Sequence, residues 1–374
     1  MAAHGLCLPT LPATVRLATL DIPYGVVQER VRLVLVACII FQGRLSRTLA
    51  CSPVSSVRLE RMPFGATRVT NHRRQGFLYG IGAYGLWGLV PLYFALLRND
   101  IPPFEVLAHR IVWSVLFLAP ILFFAKRFGD LRKTLANWDL VRPLLLSGLL
   151  VASNWYFYIL SVSIQKISHA SLGYFITPLV SVVLGMVVLK ERLRPLQKIA
   201  IVIAGIGVGY MIVQEGEIPW TGFVLAGTFS LYGLIRKRVP VDGLIGLSVE
   251  TLFLVPIAFT FLMILNFQGN LAFAHTAPWQ VNIFIALSGI VTAIPLLCFG
   301  QAARRLPLSQ LGFLQYLSPT IQFGLAVLFL GEHLTEAKMV GFPIIWLALV
   351  FFTVDTIQAS PAPIAPSPAP AADS

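Results

Sequence analysis

Three residues set the chemical question: Glu105, His109 and Arg110, in the frame Glu105-Val106-Leu107-Ala108-His109-Arg110-Ile111-Val112-Trp113. On a helix, Glu105 and His109 stand four residues apart and share one face, with Arg110 on the adjacent strip. The frame lies in an apolar run. A charge there costs roughly 2.5–3.5 kcal/mol on insertion scales, so each such group is a candidate site. The chemistry open to them is capture of an anionic or zwitterionic ligand by the Arg110 guanidinium, with Glu105 or His109 as a proton site. The same residues also allow a plainer arrangement, a buried Glu105–Arg110 ion pair that fixes the helices around it. A second carboxylate, Glu250, sits in a comparable run. It either gates one membrane face or is an acid favoured at an interfacial helix N-terminus.

Uncharged groups extend the candidate set. Asn154, Trp155 and Tyr158 fall in one apolar run, and Gln301, Gln315, Tyr316 and Gln322 in two later ones. Amides and aromatic rings suit an uncharged or amphipathic ligand, and they serve equally as interhelical hydrogen bonds of ~0.6–2 kcal/mol. Pro178 and Pro319 are expected to kink their helices, which a membrane bundle tolerates where helices line a cavity. Enzyme signatures are missing: there is no GxSxG, no HExxH and no Walker A loop. No catalytic residue, metal or cofactor is therefore expected, nor a nucleotide-driven pump. The four cysteines, Cys7, Cys38, Cys51 and Cys298, show neither CxxC nor metal spacing.

The elements that must position these groups follow from composition. Of 374 residues, 57% are hydrophobic and 12% charged, about half the ~25% charge of soluble domains. So few charges cannot cover a soluble surface of this size. Apolar runs long enough to cross a ~30 Å hydrocarbon core recur from Gly76 to Ile357. The expectation is an all-α polytopic membrane protein with ten spans, at 76–97, 105–125, 143–163, 168–189, 196–213, 219–235, 246–266, 281–303, 308–330 and 338–357. Residues 1–75 contain no 18-residue apolar run; they read as a poorly ordered basic extension, partly upstream of a start at Met62, and are left out of the fold. Residues 358–374 read as a Pro/Ala-rich solvated tail.

The net charge of +12 is distributed as a membrane protein distributes it. Ten arginines lie in 1–75, and most other basic residues fall in short connections between spans. No basic face is clustered as nucleic-acid binding requires, so that partner class is excluded. Alternate connections carry 17 Lys and Arg on one side and three on the other (Arg98, Lys166, Lys338). The positive-inside rule then places both termini in the cytoplasm.

The chain also repeats itself. At an offset of 141, Pro178 aligns with Pro319, Leu184 with Leu325, Glu191 with Glu332 and Leu193 with Leu334. At an offset of 145, Glu105 aligns with Glu250 and Gly88 with Gly233. Each copy, 76–213 and 219–357, holds five spans. An odd number turns the second copy upside down, and inverted repeats of this kind build secondary transporters that rock around a midplane site.

Gly85-Leu86-Trp87-Gly88-Leu89-Val90-Pro91-Leu92-Tyr93, the Glu105 to Ser114 frame, Asn154-Trp155-Tyr156 and Leu314-Gln315-Tyr316-Leu317-Ser318-Pro319-Thr320 resemble the RarD proteins. These are a branch of the EamA family in the drug/metabolite transporter superfamily, often labelled chloramphenicol-sensitivity permeases. The resemblance covers about 76–357. It implies a ten-helix bacterial inner-membrane permease built from two EamA repeats. One departure stands out: the small multidrug-resistance relatives carry a proton-exchanging carboxylate in their first helix, and Gly76 to Leu97 contains no acid. The expected function is secondary-active transport of a small polar or amphipathic metabolite or drug by alternating access. The alternative is a non-transporting membrane sensor or scaffold that kept the fold. Expected partners are the small-molecule substrate and the lipid bilayer, with H+ coupling and a homodimer left open.

Overall fold

Inside a bilayer no water satisfies backbone N–H and C=O groups, so apolar runs of this length must bond internally as helices. The computed structural model describes residues 66–97, 101–164, 166–329 and 335–358. Among the described residues the chain is helix and short connection, with no strand. In order come α1 (Ala66–Leu97), α2 (Pro103–Phe124), α3 (Phe128–Leu135), α4 (Trp138–Ser163), α5 (Ile167–Val188) and α6 (Pro195–Glu215). They are followed by α7 (Trp220–Arg238), α8 (Gly243–Phe267), α9 (Trp279–Arg305), α10 (Leu308–Gln315), α11 (Leu317–Phe329) and α12 (Glu336–Gln358). Eight helices are long and apolar enough to cross a membrane: α1, α2, α4, α5, α6, α8, α9 and α12. The sixth crossing, α7, ends in Arg236, Lys237 and Arg238, and the ninth is split into α10 and α11. The protein is a ten-span, all-α polytopic membrane protein.

Three boundaries differ from the expectation. First, α1 starts at Ala66, so the helix takes in residues 66–75 of the expected extension. Gly76 packs on Arg305 and Leu306, where an added Cβ would meet the Arg305 Cβ at 2.8 Å. Residues 1–65, with the Met62 start, and the tail from 359 lie outside the described residues, as do Arg98 and Glu332. Second, the basic connection after α2 folds into α3, whose Leu131 and Leu135 pack on the α4–α8 cluster while Arg132 and Lys133 stay exposed. Third, Pro319 cannot donate to the Gln315 carbonyl, and the ninth span breaks at Tyr316. At the matched Pro178, α5 continues as one helix.

The packing pairs obey the inverted repeat. α2 packs on α8, α5 on α10 and α6 on α12, three pairs in which a helix meets its own repeat mate across a pseudo-two-fold axis. The other contacts come as mirror images. α4–α7 corresponds to α9–α1, α5–α7 to α10 and α11 on α1, and α4–α8 to α9–α2. Glycines permit the last of these. Gly148 brings α4 against the Glu250 backbone, with an added Cβ 3.4 Å from its carbonyl oxygen. Its mate at offset 141, Gly289, brings α9 so close to α2 that a Cβ would strike the Trp113 carbonyl.

The mirror fails at one crossing. Between α5 and α7, Gly173 and Gly222 meet backbone to backbone, and a Cβ on Gly222 would collide with the His169 carbonyl oxygen. The equivalent positions at the α10–α1 crossing are Leu314 and Phe77, and both line a cavity of about 590 Å3. The far end is therefore closed by backbone contact, whereas at the end holding α3 and the basic connections, here the basic end, side chains make the crossing and leave a recess beside it.

Candidate functional site

Arg110 is the hub. It stands two turns into α2, half-buried, and its Nε donates to the Thr292 hydroxyl of α9 at 2.9 Å. The close α2–α9 approach at Gly289, one turn before Thr292, brings those two side chains together. The guanidinium lies 4.8 Å from the Trp155 ring of α4 and 5.7 Å from the Phe94 ring of α1. Such cation–π contacts strengthen when water is excluded. The Tyr158 and Tyr174 rings, 6.2 Å apart, complete the aromatic wall within electrostatic reach of the charge. Among the described residues no carboxylate pairs with Arg110, and Nη1 and Nη2 meet no acceptor. Planar donors free among aromatic rings suit a carboxylate or phosphate in a bidentate grip.

The buried Glu105–Arg110 pair is not formed. Glu105, fully buried, instead accepts the backbone N–H groups of Ala272 at 3.1 Å and Phe273 at 2.8 Å. It thereby holds the 268–278 connection over the far end. His109 Nε2 lies 3.7 Å from the Glu105 carboxylate, and its ring packs 4.5 Å from that of Phe273. Glu105 and His109 thus belong to a far-end clasp, and Arg110 to the aromatic cluster.

Glu250 occupies a second polar cluster. Its carboxylate accepts the Ser147 hydroxyl at 2.5 Å, lies 3.4 Å from Tyr232 Oη and stands 3.4 Å from Arg236 Nη1. Arg236 counts among the loop cations by sequence, yet it is 2% exposed. Two glycines make its slot: a Cβ on Gly246 would meet Nη1, and one on Gly300 would lie 2.9 Å from Nη2. An acid at an exposed interface does not describe Glu250.

The remaining candidates disperse. Asn154 donates to the Leu225 carbonyl at 2.8 Å and to Thr228 at 3.0 Å, pinning α4 to α7. Gln301 lies at the basic end, donating to Asp242 at 2.9 Å and accepting from Arg305. Gln315 is buried beside the helix break, and the Tyr316 hydroxyl donates to the Phe175 carbonyl at 3.2 Å on the turn before Pro178. Gln322 donates to the Trp87 carbonyl at 3.3 Å. Sequence reasoning missed Thr292, Tyr174, Ser147 and Arg236. Ser147 was within its reach, because Ser147-Gly148 matches Ser288-Gly289 at the offset of 141.

Among the described residues outside the spans, two carboxyls are perturbed. Burial pushes Asp242 up, but hydrogen bonds from Gln301 and the Leu244 N–H, with the charges of Arg127 and Arg304, outweigh it and hold the group below its ordinary value. The Lys166 hydrogen bond holds exposed Glu217 low at the far end. There His169 stands 3.9 Å from Glu215 and 3.8 Å from Glu217.

Ten spans in inverted halves, with three helices packed against their own repeat mates, define the fold of a membrane transporter. A crystal structure covering 76% of this chain and 98% of its own superposes with a TM-score of 0.58 at 18% identity, and so shares the fold. The EamA-like transporter family profile matches residues 74–213. An uncharacterized transporter of Pseudomonas aeruginosa is 46% identical over 76% of this chain and 95% of its own length. Protein RarD of Streptomyces exfoliatus is 42% identical (78% and 92% covered), and protein RarD of Escherichia coli 39% (76% and 95%). The chain belongs to the RarD branch of the EamA-like transporters, a family of multi-pass bacterial membrane proteins.

Proposed function

We propose that this protein is a secondary-active transporter of a small anionic or zwitterionic metabolite or drug, worked by alternating access around Arg110. One observation carries the reading: a guanidinium inside the bundle with no carboxylate partner among the described residues, set among aromatic rings with its Nη nitrogens free. Retaining an unpaired charge there is costly, and a ligand anion is the partner that offsets it in turn. The backbone contact of Gly173 with Gly222 supports a resting state closed at the far end, so that entry is from the basic end. With 17 basic residues against three in alternate connections, that end faces the cytoplasm, as do both termini. Substrate released on one side would let the repeats exchange roles, the mirrored α5–α7 and α10–α1 crossings opening and closing in turn. His109 and Glu105, on the same helix as Arg110, are the groups to which this reading assigns a coupling proton.

Proteoliposomes test this. Counterflow of organic anions should saturate, and Arg110→Lys, which keeps the charge and loses the fork, should lower flux about tenfold or more while folded yield stays unchanged. Absence of flux for every anionic and zwitterionic substrate screened, with wild-type protein folded, would leave the sensor reading standing instead.

A further inference from the structure

Two adjoining recesses at the basic end share no lining residue with the Arg110 cluster. The first, about 590 Å3, opens between α1, α10 and α12, with Phe77, Ile81, Phe313, Leu314, Leu349 and Phe352 as apolar walls. α1 and α12 flank it without forming a packed pair, α1 resting on α9 and α12 on α6. The slot between them lies among lipid-facing helix surfaces. The second recess, about 650 Å3, is lined by Arg73, Arg192, Arg194 and Arg305. Arg73 and Gln310 line both, which joins them into one site with an apolar body and a cationic mouth.

The acids near the mouth are already engaged. Glu191 accepts the N–H groups of Leu308 at 2.7 Å and Ser309 at 3.0 Å, and the Ser309 hydroxyl at 2.8 Å. Asp355 is held by Arg194 at 2.5 Å. Among the described residues, Arg73, Arg192 and Arg305 have no carboxylate partner. Buried polar atoms are left open as well: Arg305 Nε, Gln310 Oε1 and Thr356 Oγ1 all lack hydrogen bonds, and all three residues line the site. Buried polar groups are normally satisfied, so this grouping points to an absent ligand. Volumes of this order are those of ligand pockets.

We propose that this recess binds one anionic phospholipid, with an acyl chain along the apolar walls and its phosphate among Arg73, Arg192 and Arg305. Guanidinium forks match phosphate oxygens, and basic pockets between membrane helices suit anionic headgroups. A free anion would leave the apolar body unused. A glycerol headgroup adds hydroxyl donors, which Gln310 Oε1 lacks, so phosphatidylglycerol is the fitting probe.

The test is lipid titration of the full chain in neutral detergent, read by native mass spectrometry with phosphatidylglycerol and phosphatidylethanolamine. One phosphatidylglycerol should bind preferentially. Arg192→Gln, an exposed position, should weaken it about fivefold, and Arg305→Gln should do the same. Thr353→Trp, on the exposed α12 wall of the apolar recess, should weaken it without changing charge. Melting of each variant in lipid-free detergent checks the fold. Three results would overturn the proposal: equal retention of both lipids, loss on arginine removal with no effect of Thr353→Trp, or displacement of the lipid by millimolar glycerol phosphate. The second would mean a mere charged patch, and the third a soluble-anion site.

Discussion

Arg110 and Arg236 are both arginines inside an apolar bundle, and their surroundings give them opposite tasks. Arg236 is enclosed, with Glu250 at 3.4 Å and glycines shaping its slot; Arg110 has rings around it and open nitrogens. Removing one member of an enclosed pair strands the other charge, at about 3–5 kcal/mol. Glu250→Gln and Arg236→Gln should therefore each lose most folded protein. An apolar double replacement, Arg236→Met with Glu250→Leu, should recover it, since well-packed apolar substitutes for buried pairs are often neutral or better. Detergent melting curves decide this. Stable single variants with normal melting would instead make the pair a working, protonatable site. Arg110→Lys, by contrast, leaves no buried carboxylate stranded, so its defect should appear in transport alone.

At the scale of elements, helix ends carry the polar bookkeeping. Asp242 caps α8 by accepting the Leu244 N–H at 3.0 Å and ties α9 in through Gln301. Its carboxyl is held below the ordinary value, so the charged form is favoured by folding. That contribution is present above the unfolded value of ~3.9 and fades as pH falls through the lower folded one. Asp242→Asn should thus lower stability at neutral pH and flatten its decline in acid. Parallel acid curves for both proteins would show that the cap contributes nothing through its charge. Most spans were legible from apolar runs and breakers, because length and hydropathy are local properties. The failures were local signals overruled by partners distant in sequence. Residues 66–75 look too basic to belong to a span, yet α1 extends back through them from Gly76, which packs on Arg305 and Leu306. Arg236 reads as a loop cation until Glu250, Gly246 and Gly300 enclose it. Within the site, the i,i+4 spacing put Glu105 and His109 on one face. Nothing in the spacing shows that Glu105 takes backbone N–H groups from the 268–278 connection rather than Arg110.

For the molecule as a whole, the inverted repeat predicts two equivalent states, and the chain differs from its own mirror at Gly173 and Gly222 against Leu314 and Phe77. Backbone contact at the far end is what holds this asymmetry, so it can be pried open with a single side chain. In Gly222→Val the branched side chain would collide with the His169 carbonyl and crowd the Gly173 backbone; backbone cannot swing aside as a side chain can. Overpacking of this kind costs about 1–3 kcal/mol, charged only to the state in which α5 and α7 touch. A perturbation that acts on one of two states shifts the balance between them, here by about fivefold to a hundredfold. A cysteine replacing Tyr158, in the aromatic cluster near Arg110, should then react faster with a membrane-impermeant reagent applied at the far end, with Gly222→Ala intermediate. Single cysteines at Lys133 and Lys237 should label from the cytoplasm, and one at Gln268 from outside, which identifies the far end as external. An unchanged Tyr158→Cys rate in Gly222→Val, with the variant folded, would mean that the glycine contact is ordinary packing and that the seal lies in the Glu105 clasp instead.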